Sequence, residues 1–167
     1  MKIIDNFLFD DYFKELQNLV SSNNFGWFYQ DKTTTYQKDK NFMFVHTLYN
    51  NSINSPHYTK FEPIKYFINQ HTDFKKLKRM KLNLYTNRNE RIKHLKHYDY
   101  IEEDHQPTKN IKILILNFST CNGSTIVEGK EIVSQENKAI LFKNEQAHYG
   151  IMQDDKNIRI VLNIVFI

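Results

Sequence analysis

The stretch IRIVLNIVFI, residues 158–167, decides how this chain is read. It holds no glycine or proline and is rich in β-branched side chains, as a strand in the middle of a sheet would be. Along a strand, successive side chains point to opposite faces. Ile158, Ile160, Leu162, Ile164 and Phe166 therefore share one face, which is wholly apolar and is expected to pack against helices. Arg159, Val161, Asn163 and Val165 share the other. That places Arg159 and Asn163 on the side of a cavity. A guanidinium turned inward needs an anion, because an unpaired buried charge is costly, and a carboxylate meets it through two parallel hydrogen bonds.

The same alternation recurs at residues 80–85, where Met80, Leu82 and Leu84 alternate with Lys81, Asn83 and Tyr85. If the apolar three face the helices, Asn83 and Tyr85 face the cavity, and the Tyr85 hydroxyl can join Arg159 on its carboxylate. Residues 111–118 form a nearly continuous apolar run, as a strand buried on both faces would. Residues 125–133 and 139–142 are shorter strand candidates, punctuated by turns at Asn122-Gly123 and Glu128-Gly129. The first half reads differently. Tyr12, Phe13, Leu16, Leu19 and Val20 fall on one face of a helix over Asp10–Val20, with Asp10 and Asp11 at the positive end of its dipole. A second helix starts near Phe61, with Pro63 in its first turn and Ile64, Phe67 and Ile68 on one side. Residues 25–29 and 42–49 read as strands. The expectation is one α+β, mainly β domain over 1–167: helical support in 1–79, a β-core in 80–167.

Composition narrows the class. With 40% apolar residues, 13 Phe and 10 Tyr in 167 residues, the chain can build a core without disulfides and is not a disordered chain. Its one cysteine, Cys121, has no internal partner, which fits a reducing compartment. Asp5, Asp10 and Asp11 interrupt the N-terminus where a signal peptide needs an apolar run. No apolar run approaches the ~18 residues of a membrane span. A cytoplasmic protein with no membrane partner is expected. The net charge is +4, and residues 75–96, KKLKRMKLNLYTNRNERIKHLK, contain a single acid, Glu90. That stretch is either a solvated face or a surface for nucleic acid or an anionic small molecule.

Chemistry enters with HYD at 97–99 and HYG at 148–150. On a strand, His97 and Asp99 point to the same face and can reach one metal ion, while Tyr98 points away. A second histidine, His148, from a distant strand completes a facial set of two imidazoles and one carboxylate. Such a set leaves about three octahedral positions open. Singly each motif is common, and a solvated His–Asp pair at a strand end is the ordinary alternative. Arg159, eleven residues after His148, supplies an anion clamp beside the set.

In that order and spacing, HxD, a later HxG and a basic residue about ten positions further resemble the iron(II)- and 2-oxoglutarate-dependent oxygenases, most closely their small, prolyl-hydroxylase-like, phage-type members. The resemblance runs over residues 80–167. It implies a double-stranded β-helix, or jelly roll, flanked by N-terminal helices. It implies Fe(II) on His97, Asp99 and His148, and 2-oxoglutarate and dioxygen as cosubstrates. Arg159 would hold the distal carboxylate of 2-oxoglutarate, with Tyr85, Asn83 and Asn163 as further contacts. The implied activity couples 2-oxoglutarate decarboxylation to oxidation of a C–H bond in a peptidyl, nucleobase or small-molecule substrate. The 12-residue gap from Tyr85 to His97 carries a basic insertion that departs from the pattern, so substrate contacts do not transfer.

Three rival readings remain at this stage. A zinc hydrolase could use the same ligands, but it leaves Arg159 without a task. A non-catalytic β-sandwich would make HxD incidental. A nucleic-acid-binding module would use residues 75–96. The aromatic trio Trp27, Phe28 and Tyr29 reads as core before it reads as a substrate groove. The acidic loop IEEDH at 101–105, with His105, is a surface loop or a lid.

Overall fold

The computed structural model describes residues 1–34, 41–102 and 106–167. In chain order its elements are β1 (Lys2–Ile4), α1 (Asp10–Val20), β2 (Phe28–Gln30), β3 (Met43–Asn50), α2 (Tyr58–Phe61), α3 (Ile64–Asn69), β4 (Leu77–Thr86), β5 (Lys112–Asn117), β6 (Ser124–Val127), β7 (Lys130–Val133), β8 (Ala139–Lys143), β9 (His148–Ile151) and β10 (Ile158–Phe166). The strands form a seven-stranded sheet, β1-β8-β5-β10-β4-β3-β2, and a three-stranded sheet, β7-β6-β9. Every pairing is antiparallel. This is a jelly-roll architecture, with α1, α2 and α3 against the outer face of the large sheet.

Two apolar layers follow from the period-two pattern of the central strands. Leu114 and Leu116 of β5, Met80, Leu82 and Leu84 of β4, and Ile160, Leu162, Ile164 and Phe166 of β10 pack on Phe13, Leu16 and Val20 of α1 and Ile64 and Ile68 of α3. Ile113 and Ile115, Val161 and Val165 face the opposite way, with Val127 and Ile132 of the small sheet. The second layer is interrupted by polar side chains, and there the cavity lies. Ile158 departs from the expected pattern: at the start of β10 it stays 40% exposed, on a surface groove it shares with Gln17 and Val20 of α1.

The β6–β7 hairpin turns on Glu128 and Gly129, whose φ values of 48° and 83° are the two left-handed positions of a tight two-residue turn. Strands β2 and β3 extend the large sheet from the first half of the chain, so that half supplies sheet as well as helices. Phe28 and Tyr29 are 63% and 65% exposed, the opposite of the core position expected for them. Among the described residues, no helix is long and apolar enough to cross a membrane. His105, in the loop read as a surface loop or a lid, lies outside the described residues.

Candidate functional site

The cavity sits between the two sheets. It is lined from β4 by Arg79, Lys81, Asn83 and Tyr85, from β10 by Arg159, Val161 and Asn163, and from β6 by Thr125. Cross-strand register makes this one surface, because Arg159 stands opposite Tyr85, Val161 opposite Asn83 and Asn163 opposite Lys81. The HxD segment closes the cavity from the small-sheet side. It does not lie on a regular strand. Residues 87–102 instead run irregularly beside β9, pinned by isolated bridges at Lys93–Ile151 and His97–His148. The His94 N–H donates to the Gly150 carbonyl at 2.9 Å, and His97 and His148 exchange backbone hydrogen bonds at 2.9 and 3.1 Å. Beyond His97 the Asn144 side chain takes over, accepting from the Tyr100 N–H at 3.1 Å and donating to the Tyr100 carbonyl at 2.7 Å.

This pinning brings His97, Asp99 and His148 together. One donor atom from each lies within 4.8 Å of the others, a spacing that a single metal ion can bridge. The His97 and His148 rings are 4.5 Å apart, and His148 Nε2 lies 3.4 Å from Asp99 Oδ2. His97 Nδ1 donates to the Leu95 carbonyl at 3.0 Å, which fixes the tautomer and turns the Nε2 lone pair inward. Burial, and the neighbouring His148, push the His97 pKa down, so the ring is neutral. Burial alone would raise the Asp99 carboxyl, but the Arg79 guanidinium and both histidines outweigh it and hold it well below the usual carboxylate range. His97 and Asp99 are therefore in the protonation states that a metal requires.

Asp99 is already engaged. Arg79 pairs with its Oδ1, and Asn163 Nδ2 donates to its Oδ2 at 3.1 Å. Arg79 also donates to Asn163 Oδ1 at 3.1 Å, closing a triangle. Asn163 thus serves the carboxylate from the cavity floor. Arg79 escaped the sequence reading, as did Lys81. Both lie on the alternation that singled out Asn83 and Tyr85, continued backward by two and four residues. Burial of Lys81, and the charge of Arg79, push its pKa down to about 8.

Arg159 is 1% exposed. It donates through Nη1 to the carbonyls of Ser124 at 3.0 Å and Ile151 at 3.3 Å, and through Nη2 to Thr125 Oγ1 at 3.0 Å. All three acceptors are neutral, and its guanidinium carbon lies 5.9 Å from the Tyr85 ring centroid. Gly123 makes room for it: a Cβ there would stand 3.0 Å from Arg159 Cδ and 3.1 Å from the Gln153 backbone nitrogen. Arg159 Nε, Asn83 Oδ1, Arg79 Nε and His148 Nδ1 are buried without a hydrogen-bond partner among the described residues. Four such atoms around one cavity are unusual, since more than nine in ten buried polar groups are normally satisfied.

No protein-family model matches the sequence, and no curated protein matches it. Solved structures match over almost the whole chain. An oxidoreductase of the 2OG-Fe(II) oxygenase family from Burkholderia pseudomallei superposes with a TM-score of 0.69 at 10% identity, covering 98% of this chain and 84% of the other. A prolyl-4-hydroxylase from Pseudomonas putida gives 0.64 at 12% identity, covering 99% and 91%. The viral collagen prolyl hydroxylase of Paramecium Bursaria Chlorella virus-1, in its 2OG complex, gives 0.60 at 14% identity, covering 98% and 94%. This chain has the fold of the 2OG-Fe(II) oxygenases.

Proposed function

We propose that the chain is an iron(II)- and 2-oxoglutarate-dependent dioxygenase acting as a hydroxylase. The observation that carries this is the sharing of one cavity by two features: the converged His97, Asp99 and His148, and a buried Arg159 whose acceptors are all neutral. The donor set fits iron(II), since two imidazoles and a carboxylate on one face are the ligands that non-heme iron(II) oxygenases use. The cleft fits the cosubstrate, because an arginine without an acidic partner among the described residues, and with a free Nε, awaits a carboxylate.

On this reading His97, Asp99 and His148 hold the metal, Arg159 holds the distal carboxylate, and Tyr85 and Asn83 flank it. When bound, iron with 2-oxoglutarate and dioxygen supplies oxidative decarboxylation coupled to hydroxylation of a C–H bond. The chain's own residues do the rest. The Leu95 carbonyl keeps His97 in its ligating tautomer. Asn163 and Arg79 fix the Asp99 carboxylate plane. Ile115 and Val161 in the cavity wall keep bulk water from the reacting centre. A peptidyl substrate, as the printed names of the prolyl hydroxylases suggest for those proteins, is one option beside a nucleobase or a small molecule. A purely surface-borne role for residues 75–96 in nucleic-acid binding loses two of its cations, because Arg79 and Lys81 turn into the cavity.

The test is anaerobic addition of iron(II) and 2-oxoglutarate, which should give a charge-transfer band at about 500–530 nm when the cosubstrate chelates an open facial site. The band should vanish in His148→Ala. Absence of the band, with iron shown not to bind, would sink the proposal.

A further inference from the structure

The charges lining the cavity do not balance. Arg79, Lys81 and Arg159 face a single carboxylate, Asp99, among the described residues, so the lining carries two positive charges in excess. A divalent metal and a dicarboxylate cosubstrate cancel each other and leave that excess in place. Arg79 is committed to Asp99 and Asn163, and on the oxygenase reading Arg159 is committed to the cosubstrate. Lys81 is left over. It has no hydrogen bond or ion pair with any described residue, and only the more distant charges of Arg79 and Asp99 act on it. It lines the same cavity as Thr33, Thr34, Asn83 and Asp99.

Lys81 and Arg159 also stand at different stations along the sheet. Lys81 stands opposite Asn163 and Arg159 opposite Tyr85. Their stations along the sheet differ by four residues, or about 13 Å at ~3.3 Å per residue. Arg159 belongs to the deep end of the cavity and Lys81 to the end that holds Asp99. A half-buried ammonium with no partner is costly, and a cation retained in such a place is ready to bind an anion.

We propose that Lys81 is a docking point for an anionic oxygen group of the prime substrate, a carboxylate or a phosphate, held beside the metal ligands and separate from the cosubstrate anion on Arg159. This rests on the oxygenase reading, because that reading assigns Arg159 to 2-oxoglutarate. The substrate class it names is acidic: a molecule or side chain carrying a carboxylate, or a phosphorylated one. Its reactive carbon would lie a short distance from the anion.

The test uses the full chain without metal, so that it stands whether or not iron binds. Inorganic phosphate and acetate are titrated in parallel arms, following the thermal unfolding midpoint of wild type, Lys81→Met, Lys81→Arg and Arg159→Met. Wild type should show a saturable rise with at least one anion, and the arm that responds says whether the group is a phosphate or a carboxylate. Lys81→Met should weaken that response about tenfold, as loss of one charge-assisted hydrogen bond does, and Lys81→Arg should restore it. Arg159→Met removes whatever part of the response comes from anion binding at Arg159, and the part that depends on Lys81 should remain. An equal rise in Lys81→Met, or no rise in wild type with either anion, overturns the proposal. A manganese(II) and 2-oxoglutarate titration of the same variants completes the test. If Lys81→Met loses 2-oxoglutarate affinity as fully as Arg159→Met does, Lys81 belongs to the cosubstrate and the proposal fails. If manganese does not bind wild type at all, the oxygenase reading fails, while the anion result on metal-free protein still decides Lys81.

Discussion

Asp99 and Arg159 mark the two ends of one cavity, and they are satisfied in opposite ways. Asp99 has a charged partner in Arg79, an amide donor in Asn163 and an imidazole in His148. Arg159 has two backbone carbonyls and a threonine hydroxyl, with Nε left over. On the oxygenase reading, the difference separates two design problems. A carboxylate that must ligate a metal has to stay ionised and oriented before the metal arrives, so the fold gives it a cation in advance. A guanidinium that must bind an exchanging anion cannot be given an acid of its own, since that acid would compete with the ligand. Neutral acceptors hold it in place and leave its charge uncompensated.

The largest effect that could break this comparison is at the metal end. Asp99→Ala should reduce iron(II) affinity by at least ~100-fold, more than loss of an outer partner costs. It should also destabilise the metal-free protein by about 3 kcal/mol, because Arg79 is left as an uncompensated cation in a largely buried site. Iron titration and urea unfolding measure both. At the other end, Arg159→Met should raise the 2-oxoglutarate requirement by roughly 10–100-fold, the loss of two charge-assisted hydrogen bonds, while iron affinity stays unchanged. Unchanged cosubstrate affinity in Arg159→Met would mean that the clamp has been misassigned.

Arg79→Met probes the partner rather than the ligand. With the guanidinium gone, Asp99 loses the partner that keeps it ionised and oriented. Iron(II) affinity should fall, by roughly tenfold, and the metal-free protein should be less stable. A rise in affinity would show that Arg79 competes with the metal more than it orients Asp99.

How far the sequence reveals this depends on where each residue's environment comes from. Helix α1 falls on the expected Asp10–Val20, and β10 alternates as expected over most of its length, because those patterns are written in neighbouring side chains. Strand β1, three residues long, has no sequence signal of its own, and β9, four residues long, is expected only as the distant strand that carries His148. Strand β1 exists because β8 offers it an edge, and β9 because β6 does. The HxD pair converges with His148 although it sits on an irregular segment, since the bridges to β9 do the work assumed for a regular strand. Arg79 and Lys81 were hidden by a sound habit, that of placing Lys and Arg outside. The alternation through Asn83 and Tyr85 already put them inside, and composition argued against pattern. Here the pattern decided.

The smallest effect is on pH dependence, and it distinguishes the two ends by sign and by variant. The His97 pKa is lowered from 6.5 in the folded chain, by burial first and by His148 second. A group that is harder to protonate when folded gives stability that is full above its unfolded pKa. That stability drains away as pH falls below about 6.5 towards the lower folded value, since the unfolded chain takes up the proton more readily. The metal-free protein should therefore lose stability on acidification from pH 7 to pH 5. His46 and His71, whose pKa values burial also lowers, add to the same slope. His97→Gln should flatten part of the slope. Arg159→Met should leave all of it, because a guanidinium does not titrate in that window. Thermal unfolding of the three proteins at a series of pH values gives the comparison directly. If Arg159→Met flattens the slope as much as His97→Gln does, the two ends are electrostatically coupled, and treating them as separate stations along the sheet is wrong.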